Sequence, residues 1–220
     1  MTDFLHAVLF DMDGTLVDSE SLWDVALEDM ARELGGTLRD SVRIDMVGKS
    51  EEYSIPLLLN DLGRAEEDTN QWREWVVARM TELLKDGVEW QPGAQELLGS
   101  VVEAGYLTAL VTATRRSLTE VLLDQLGRHN FTITITGDDV TEKKPAPEPY
   151  TKALAQLGVT SDNAIVIEDS WSGMTSGIGA GCTVVGVPSL TSVPQAAPGQ
   201  LHIVDSLEAI NVEFLRRLHS

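Results

Sequence analysis

Ala7-Val8-Leu9-Phe10-Asp11-Met12-Asp13-Gly14-Thr15 is the stretch that decides the fold of this chain. The apolar run at residues 7–10 is too short for a helix and rich in strand formers, so it reads as a buried strand of a parallel sheet. The carboxyl ends of such strands are where α/β sheets keep their ligands. Two acids one residue apart are costly on a buried strand unless something cationic compensates them, which puts Asp11 and Asp13 at the strand's wet exit. Mg²⁺, a hard cation that prefers oxygen ligands, is the natural partner. Taken alone, the same residues also fit a turn in which the acids cap a helix and Gly14 supplies a positive φ.

Three further segments weigh against the bare turn. Leu110-Val111-Thr112-Ala113-Thr114 is a second apolar run ending in hydroxyls, where Thr112 can offer its side chain to a phosphoryl oxygen or cap a helix beginning near Arg115. Lys143-Lys144-Pro145 precedes a helical pattern at Pro149, Tyr150, Ala153, Leu154 and Leu157, so that an ammonium there can neutralise an oxyanion. Without that context, a lysine pair is a solvated surface. Ile165-Val166-Ile167-Glu168-Asp169-Ser170 ends the strongest strand of the chain in adjacent acids, repeating the arrangement at Asp11.

In this order and spacing the four segments resemble the haloacid dehalogenase superfamily, in its phosphatase and β-phosphoglucomutase-like branch with a helical cap. The resemblance covers essentially the whole chain. It implies Asp11 as nucleophile, Asp13 as general acid and base, and Thr112, Ala113 and Lys144 as phosphate-binding residues. Lys144 is preferred to Lys143 because the family's lysine directly precedes proline. For the metal it implies Asp11, Asp13 through its backbone carbonyl, Asp169, and Glu168 in the inner or outer sphere. Dehalogenases of the superfamily lack the second aspartate and the Mg²⁺ site, whereas Asp13, Glu168 and Asp169 all stand here.

Composition agrees. At 220 residues and 43% apolar content, the chain can bury a sizeable core, as one domain or as a core with an insertion. A formal net charge of −19 argues against nucleic acid and anionic membranes as partners. A phosphate ester approaching so acidic a protein needs local positive charge from Mg²⁺, Lys144 and either Arg115 or Arg116. The single Cys182 excludes an internal disulfide. No signal-like start and no apolar run of membrane length is present, so the expectation is a cytoplasmic protein, monomeric by default, acting on a small phosphorylated metabolite.

Along the chain, Ser19 to about Asp86 carries helical periodicity and no convincing strand, as at Leu22, Val25, Ala26, Asp29, Met30 and Leu34 before Gly35-Gly36, with further helices expected over 44–46, 51–62 and 72–84. This block interrupts a strand-helix alternation. The expected fold is therefore α/β, a doubly wound parallel sheet (Rossmann-like core) of residues 1–16 and 88–220 with an inserted all-helical cap at 17–87. The core resumes with a helix from Pro92-Gly93 to about Ala104 and strands over 107–111, 132–135, 164–168 and 183–187.

The cap should decide which substrate is accepted. Val47-Gly48-Lys49-Ser50 is no nucleotide-binding P-loop, because the position five residues before Gly48 is Arg43 rather than glycine. In the capped phosphatases a short Gly-containing turn between cap helices faces the active site, so Lys49 or Ser50 is a substrate contact or else part of a helix connection. Trp23, Trp72 and Trp75 either line a pocket or pack the cap. A phosphosugar mutase is the alternative function. Mutases of this branch commonly carry a histidine just after the first motif, yet the histidines here are His6, His129, His202 and His219. Asp18-Ser19-Glu20-Ser21-Leu22-Trp23 instead looks like the sugar-phosphate phosphatases of the branch, including those acting on 2-deoxyglucose 6-phosphate. A receiver-like signalling module explains the strand-end acids and the lysine, but neither the helical insertion nor Asp13 as an acid-base group.

Overall fold

The computed structural model describes residues 5–46, 51–188 and 192–219. In chain order the strands are β1 (Ala7–Phe10), β2 (Val17–Asp18), β3 (Glu89–Trp90), β4 (Leu107–Val111), β5 (Ile133–Ile135), β6 (Ala164–Glu168), β7 (Thr183–Gly186) and β8 (Leu201–Ile203). The helices are α1 (Glu20–Glu33), α2 (Asp40–Met46), α3 (Glu51–Asp61), α4 (Thr69–Lys85), α5 (Ala94–Glu103), α6 (Arg116–Leu126), α7 (Glu148–Leu157), α8 (Trp171–Gly179) and α9 (Val212–Leu218). The chain divides into two compact units, Met1–Asp18 with Glu89–Ser220, and Ser19–Val88.

In the first unit, six strands form one parallel sheet in the order β5-β4-β1-β6-β7-β8. Counting only these six, the order is 3-2-1-4-5-6, the doubly wound pattern in which winding reverses beside the first strand. Residues 7–10 are wholly buried, as a central parallel strand covered on both faces must be. Ala7 and Leu9 share one hydrophobic cluster with Val111, Tyr150, Val166 and Met174. The sheet is thus a Rossmann-like core, and the second unit is the helical cap in sequence, α1 to α4.

Several boundaries move. The second cap helix begins at Asp40 rather than 44, and α4 begins at Thr69 because the Asp68 side chain accepts from Asn70 N at 2.9 Å and Gln71 N at 3.3 Å. The strands expected at 132–135 and 183–187 each lose one residue. Strands β2, β3 and β8 were not foreseen, since two or three residues carry too little periodicity to read. Within the first unit, β2 and β3 pair antiparallel, Val17 with Trp90 and Asp18 with Glu89, where the chain leaves and re-enters the sheet unit. Among the described residues no helix is long and apolar enough to cross a membrane.

Candidate active site

The site is assembled by register. Phe10 of β1 pairs with Leu110 of β4 on one side and Ile167 of β6 on the other. One residue further along, Asp11, Val111 and Glu168 therefore emerge at the same end of the sheet. Asp11 N still donates to Ile167 O at 3.0 Å, so the first acid leaves the strand with its backbone held. Segments far apart in the chain converge because parallel pairing aligns their carboxyl ends.

Lys144 is the hub. Its Nζ donates to Asp11 Oδ1 at 2.6 Å, to Glu168 Oε1 at 2.6 Å and to the Val111 carbonyl at 2.8 Å, which uses all three of its donors. The side chains of Lys144, Asp11 and Glu168 are only 4%, 9% and 0% exposed, so these charges have given up water and depend on one another. The peptide between Lys144 and Pro145 is cis.

Glu168 is filled on every side. Its Oε1 also accepts from the Tyr150 hydroxyl at 2.7 Å, and its Oε2 accepts from Ser170 N at 3.3 Å and Ser170 Oγ at 3.1 Å. The carboxyl occupies a slot that exists because residue 173 is glycine, since a Cβ there would lie inside the Glu168 carboxylate.

Negative charge exceeds positive here. Burial, and then the charge of Glu168, push the Asp11 carboxyl well above the usual carboxylate range against the pull of Lys144. Burial disfavours the Lys144 ammonium, yet Asp11 and Glu168 outweigh it and hold the group charged. Burial and Glu168 together push Asp169 up to about 7. Both carboxyl shifts point upward because burial disfavours the charged forms, and the negative Glu168 adds to this more than the single Lys144 ammonium offsets.

The second acid has a different environment. Asp13 Oδ2 accepts from Thr112 Oγ1 at 3.0 Å and from Thr114 Oγ1 at 2.7 Å. Thr112, expected to face a phosphoryl oxygen, thus turns its hydroxyl proton toward Asp13, and the same oxygen accepts from Thr114 N at 3.0 Å. Asp169 is held from the first motif, Thr15 Oγ1 donating to its Oδ1 at 3.1 Å. Gly14, with φ of 81°, takes a left-handed conformation and leaves the space into which the Asp169 carboxylate fits. Ala113 lies in the turn after β4 with its carbonyl packed on Gly137, where a Cβ would collide.

Asp11, Glu168 and Asp169 each present an oxygen within 4.8 Å of the others, a group able to hold a metal ion. An all-oxygen donor set with excess negative charge suits a hard divalent cation, so the residues fit such an ion. The Asp13 carboxylate is not part of that group; it is turned to the threonines.

Lys49 and the rest of residues 47–50 lie outside the described residues. Within the helical unit, Trp23 borders a cavity of about 50 Å³ together with Glu20, Leu27, Arg43 and Ile55, while Trp72 and Trp75 pack on each other with ring centroids 5.7 Å apart. Thr15, Thr114, Tyr150 and Ser170 were not singled out from sequence. For Tyr150 a signal existed, a tyrosine rather than phenylalanine at a core position of a helix.

Comparison with known proteins gives concordant matches. The family model described as Haloacid dehalogenase-like hydrolase matches residues 8–187. Phosphoglycolate phosphatase of Nitrosococcus oceani is 33% identical over 183 residues, 81% of this chain and 81% of the relative. Hexitol phosphatase B of Escherichia coli (strain K12) is 31% identical over 190 residues, 83% of each. Among solved structures, CbbY from Rhodobacter sphaeroides in complex with phosphate aligns with a TM-score of 0.82 at 25% identity, over 96% of this chain and 99% of that one.

Proposed function

On the premise that this chain belongs to the haloacid dehalogenase-like hydrolase family and is a phosphoric monoester hydrolase, we propose that it is a Mg²⁺-dependent phosphatase of a small phosphorylated metabolite, a sugar phosphate by preference, working through an aspartyl phosphate. The observation that carries this reading is the unlike treatment of the two acids: Asp11 sits on the Lys144 ammonium, and Asp13 on two threonine hydroxyls.

Asp11, the nucleophile, attacks phosphorus with a carboxylate oxygen, forming the acyl phosphate as the bond to the leaving alkoxide breaks. Asp13 donates the proton that the alkoxide needs. In the second half Asp13 takes a proton from water, whose oxygen attacks the same phosphorus and frees Asp11. The sum is ester plus water to alcohol plus phosphate. Lys144 offsets the repulsion between Asp11 and the anionic ester. Thr112 and Thr114 hold the Asp13 carboxyl in place, and the turn at Thr112 and Ala113 is the expected seat of the phosphoryl oxygens. Mg²⁺, when bound by Asp11, Asp169 and the Asp13 carbonyl, supplies further positive charge for the phosphoryl group. With its four acceptor positions already used by Lys144, Tyr150 and Ser170, Glu168 is assigned to the outer sphere. Choice of leaving group belongs to residues 19–88, with Lys49 a candidate contact.

The name of the Escherichia coli relative, a hexitol phosphatase, supports the sugar-phosphate preference. The mutase alternative lacks a histidine anywhere in residues 17–87. The test is phosphate release from a panel of sugar and small-metabolite phosphates with and without Mg²⁺, run beside Asp11→Asn. A loss of at least about a thousandfold in the variant is expected. Undiminished release by Asp11→Asn sinks the nucleophile assignment, and conversion of a sugar 1-phosphate to its 6-phosphate with little free phosphate replaces the phosphatase by the mutase.

A further inference from the structure

Tyr150 is fully buried, so its hydroxyl is a polar group in a core position. A buried hydroxyl must find a partner, and this one finds Glu168 Oε1, the very oxygen that accepts from Lys144. We propose that Tyr150 is a positioning residue for the phosphoryl-transfer site, its hydroxyl drawing on Glu168 Oε1 so that Lys144 stays shared with Asp11 instead of being captured by Glu168. The proposal rests on the phosphatase reading above.

The physical argument is a competition for one ammonium. Lys144 Nζ is 2.6 Å from Asp11 Oδ1 and 2.6 Å from Glu168 Oε1, so it is held evenly between them. The two carboxylates are not equally wet: Glu168 is sealed from solvent while Asp11 lies at the strand exit. Left with Lys144 as the sole donor on Oε1, a sealed carboxylate pulls the ammonium toward itself, because in a low-dielectric surrounding an unsatisfied acceptor is expensive. The Tyr150 hydroxyl occupies the other acceptor position of Oε1, and Ser170 occupies both on Oε2. Glu168 is then saturated, and the Lys144 donor that rests on Asp11 at the strand exit is the one that can pass to an incoming phosphoryl oxygen. The ring adds a second contact, its centroid 5.1 Å from Lys144 Nζ, which places the ammonium over the aromatic face.

Tyr150→Phe keeps the ring and removes only the hydroxyl. The measurement is kcat and KM for Mg²⁺-dependent phosphate release at saturating metal, in wild type, Tyr150→Phe, Glu168→Gln and the double variant, with thermal melts of all four. Expected is a fall in kcat of about tenfold, the usual scale for losing a hydrogen bond to a charged group, with KM changed less than about twofold. In the Glu168→Gln background the same substitution should change kcat less than about twofold, since the path runs through Glu168. A purely structural role would lower the melting temperature and leave this coupling at zero. Unchanged kcat in Tyr150→Phe overturns the proposal, as does an equal loss in both backgrounds. Should Tyr150→Phe fail to fold, the opposite substitution at the partner decides: Glu168→Gln must then cost kcat more than KM, or the proposal falls. Absence of any release by wild type is a distinct result, which removes the phosphatase reading and this inference with it.

Discussion

The strand tips of the sheet unit and the helical unit use charge in different ways. At the strand tips, Lys144, Asp11 and Glu168 are nearly sealed from water, and the one ammonium serves both carboxylates. In the helical unit the described ion pairs are wetter: the Arg32 side chain facing Asp29 is 70% exposed and the Arg39 side chain facing Asp61 is exposed, while Arg43 with Glu20 and Asp24 and Arg73 with Glu51 are part-buried. Exposed pairs gain little, because water and salt screen them and the long side chains lose entropy when they are held. Buried ones are expensive to build and expensive to break. A protein that keeps three charged groups and a neighbouring Asp169 inside its sheet end is using them for something other than stability.

Removing the hub should separate the two regimes most sharply. Lys144→Ala leaves Asp11 and Glu168 buried without their ammonium, and a loss of about 3–5 kcal/mol in denaturant unfolding is expected, together with loss of phosphate release. A cost below about 1 kcal/mol would put this cluster in the same class as the surface pairs.

Metal and pH come next. The Asp169 carboxyl, pushed up to about 7 by burial and Glu168, must shed a proton before it can ligate a cation. Mg²⁺ affinity, followed by calorimetry, should therefore weaken as pH falls below about 7, by as much as about tenfold per unit. In the metal-free protein the folded state holds a proton on Asp169 that the unfolded chain releases near pH 4, so stability falls as pH rises from about 4 to 7. The rise in melting temperature on adding Mg²⁺ should accordingly be larger at pH 8 than at pH 6. Equal increments at both would mean that Asp169 is already ionised at pH 6.

A smaller effect is expected at Asp13. Thr114→Val removes the shorter of its two hydroxyl contacts, 2.7 Å against 3.0 Å for Thr112. A fall in kcat of about tenfold or less is expected, greatest for substrates with poor leaving groups, where proton donation matters most. Smallest of all is Arg32→Ala in the helical unit, which should change stability by less than about 0.5 kcal/mol and leave kcat untouched. Any measurable loss of turnover there would mean that charge in the helical unit does more than solvate its surface.

The run at residues 7–10 could be read as a buried strand because four consecutive apolar residues, rich in strand formers, are too few for a helix and need cover on both faces. The helical block was legible from its periodicity, and the acids Asp11, Asp13, Glu168 and Asp169 stood out at strand ends, whereas the choice of Lys144 over Lys143 came from the resemblance, in which the lysine precedes proline. The partners of those residues were not legible. Thr114 looks like one more hydroxyl in a loop, and Tyr150 like one more core residue on a helical face, until folding brings the end of β4 beside Asp13 and α7 beside Glu168. The same limit applies to Thr112, whose hydroxyl serves Asp13, and to β2, β3 and β8, each too short to show a period.

What the sequence by itself determined is the set of chemical groups and the strand ends that carry them, because hydrophobic runs and the residues that terminate them are local properties. Only the tertiary structure decided which group faces which. Parallel register sets Asp11 beside Glu168, and glycines at 14 and 173 open the space in which Asp169 and Glu168 come to rest. A single buried ammonium then makes the acids unequal, since in a dry interior each carboxylate's behaviour depends on which donors reach it, and that is a matter of distance rather than of spacing along the chain.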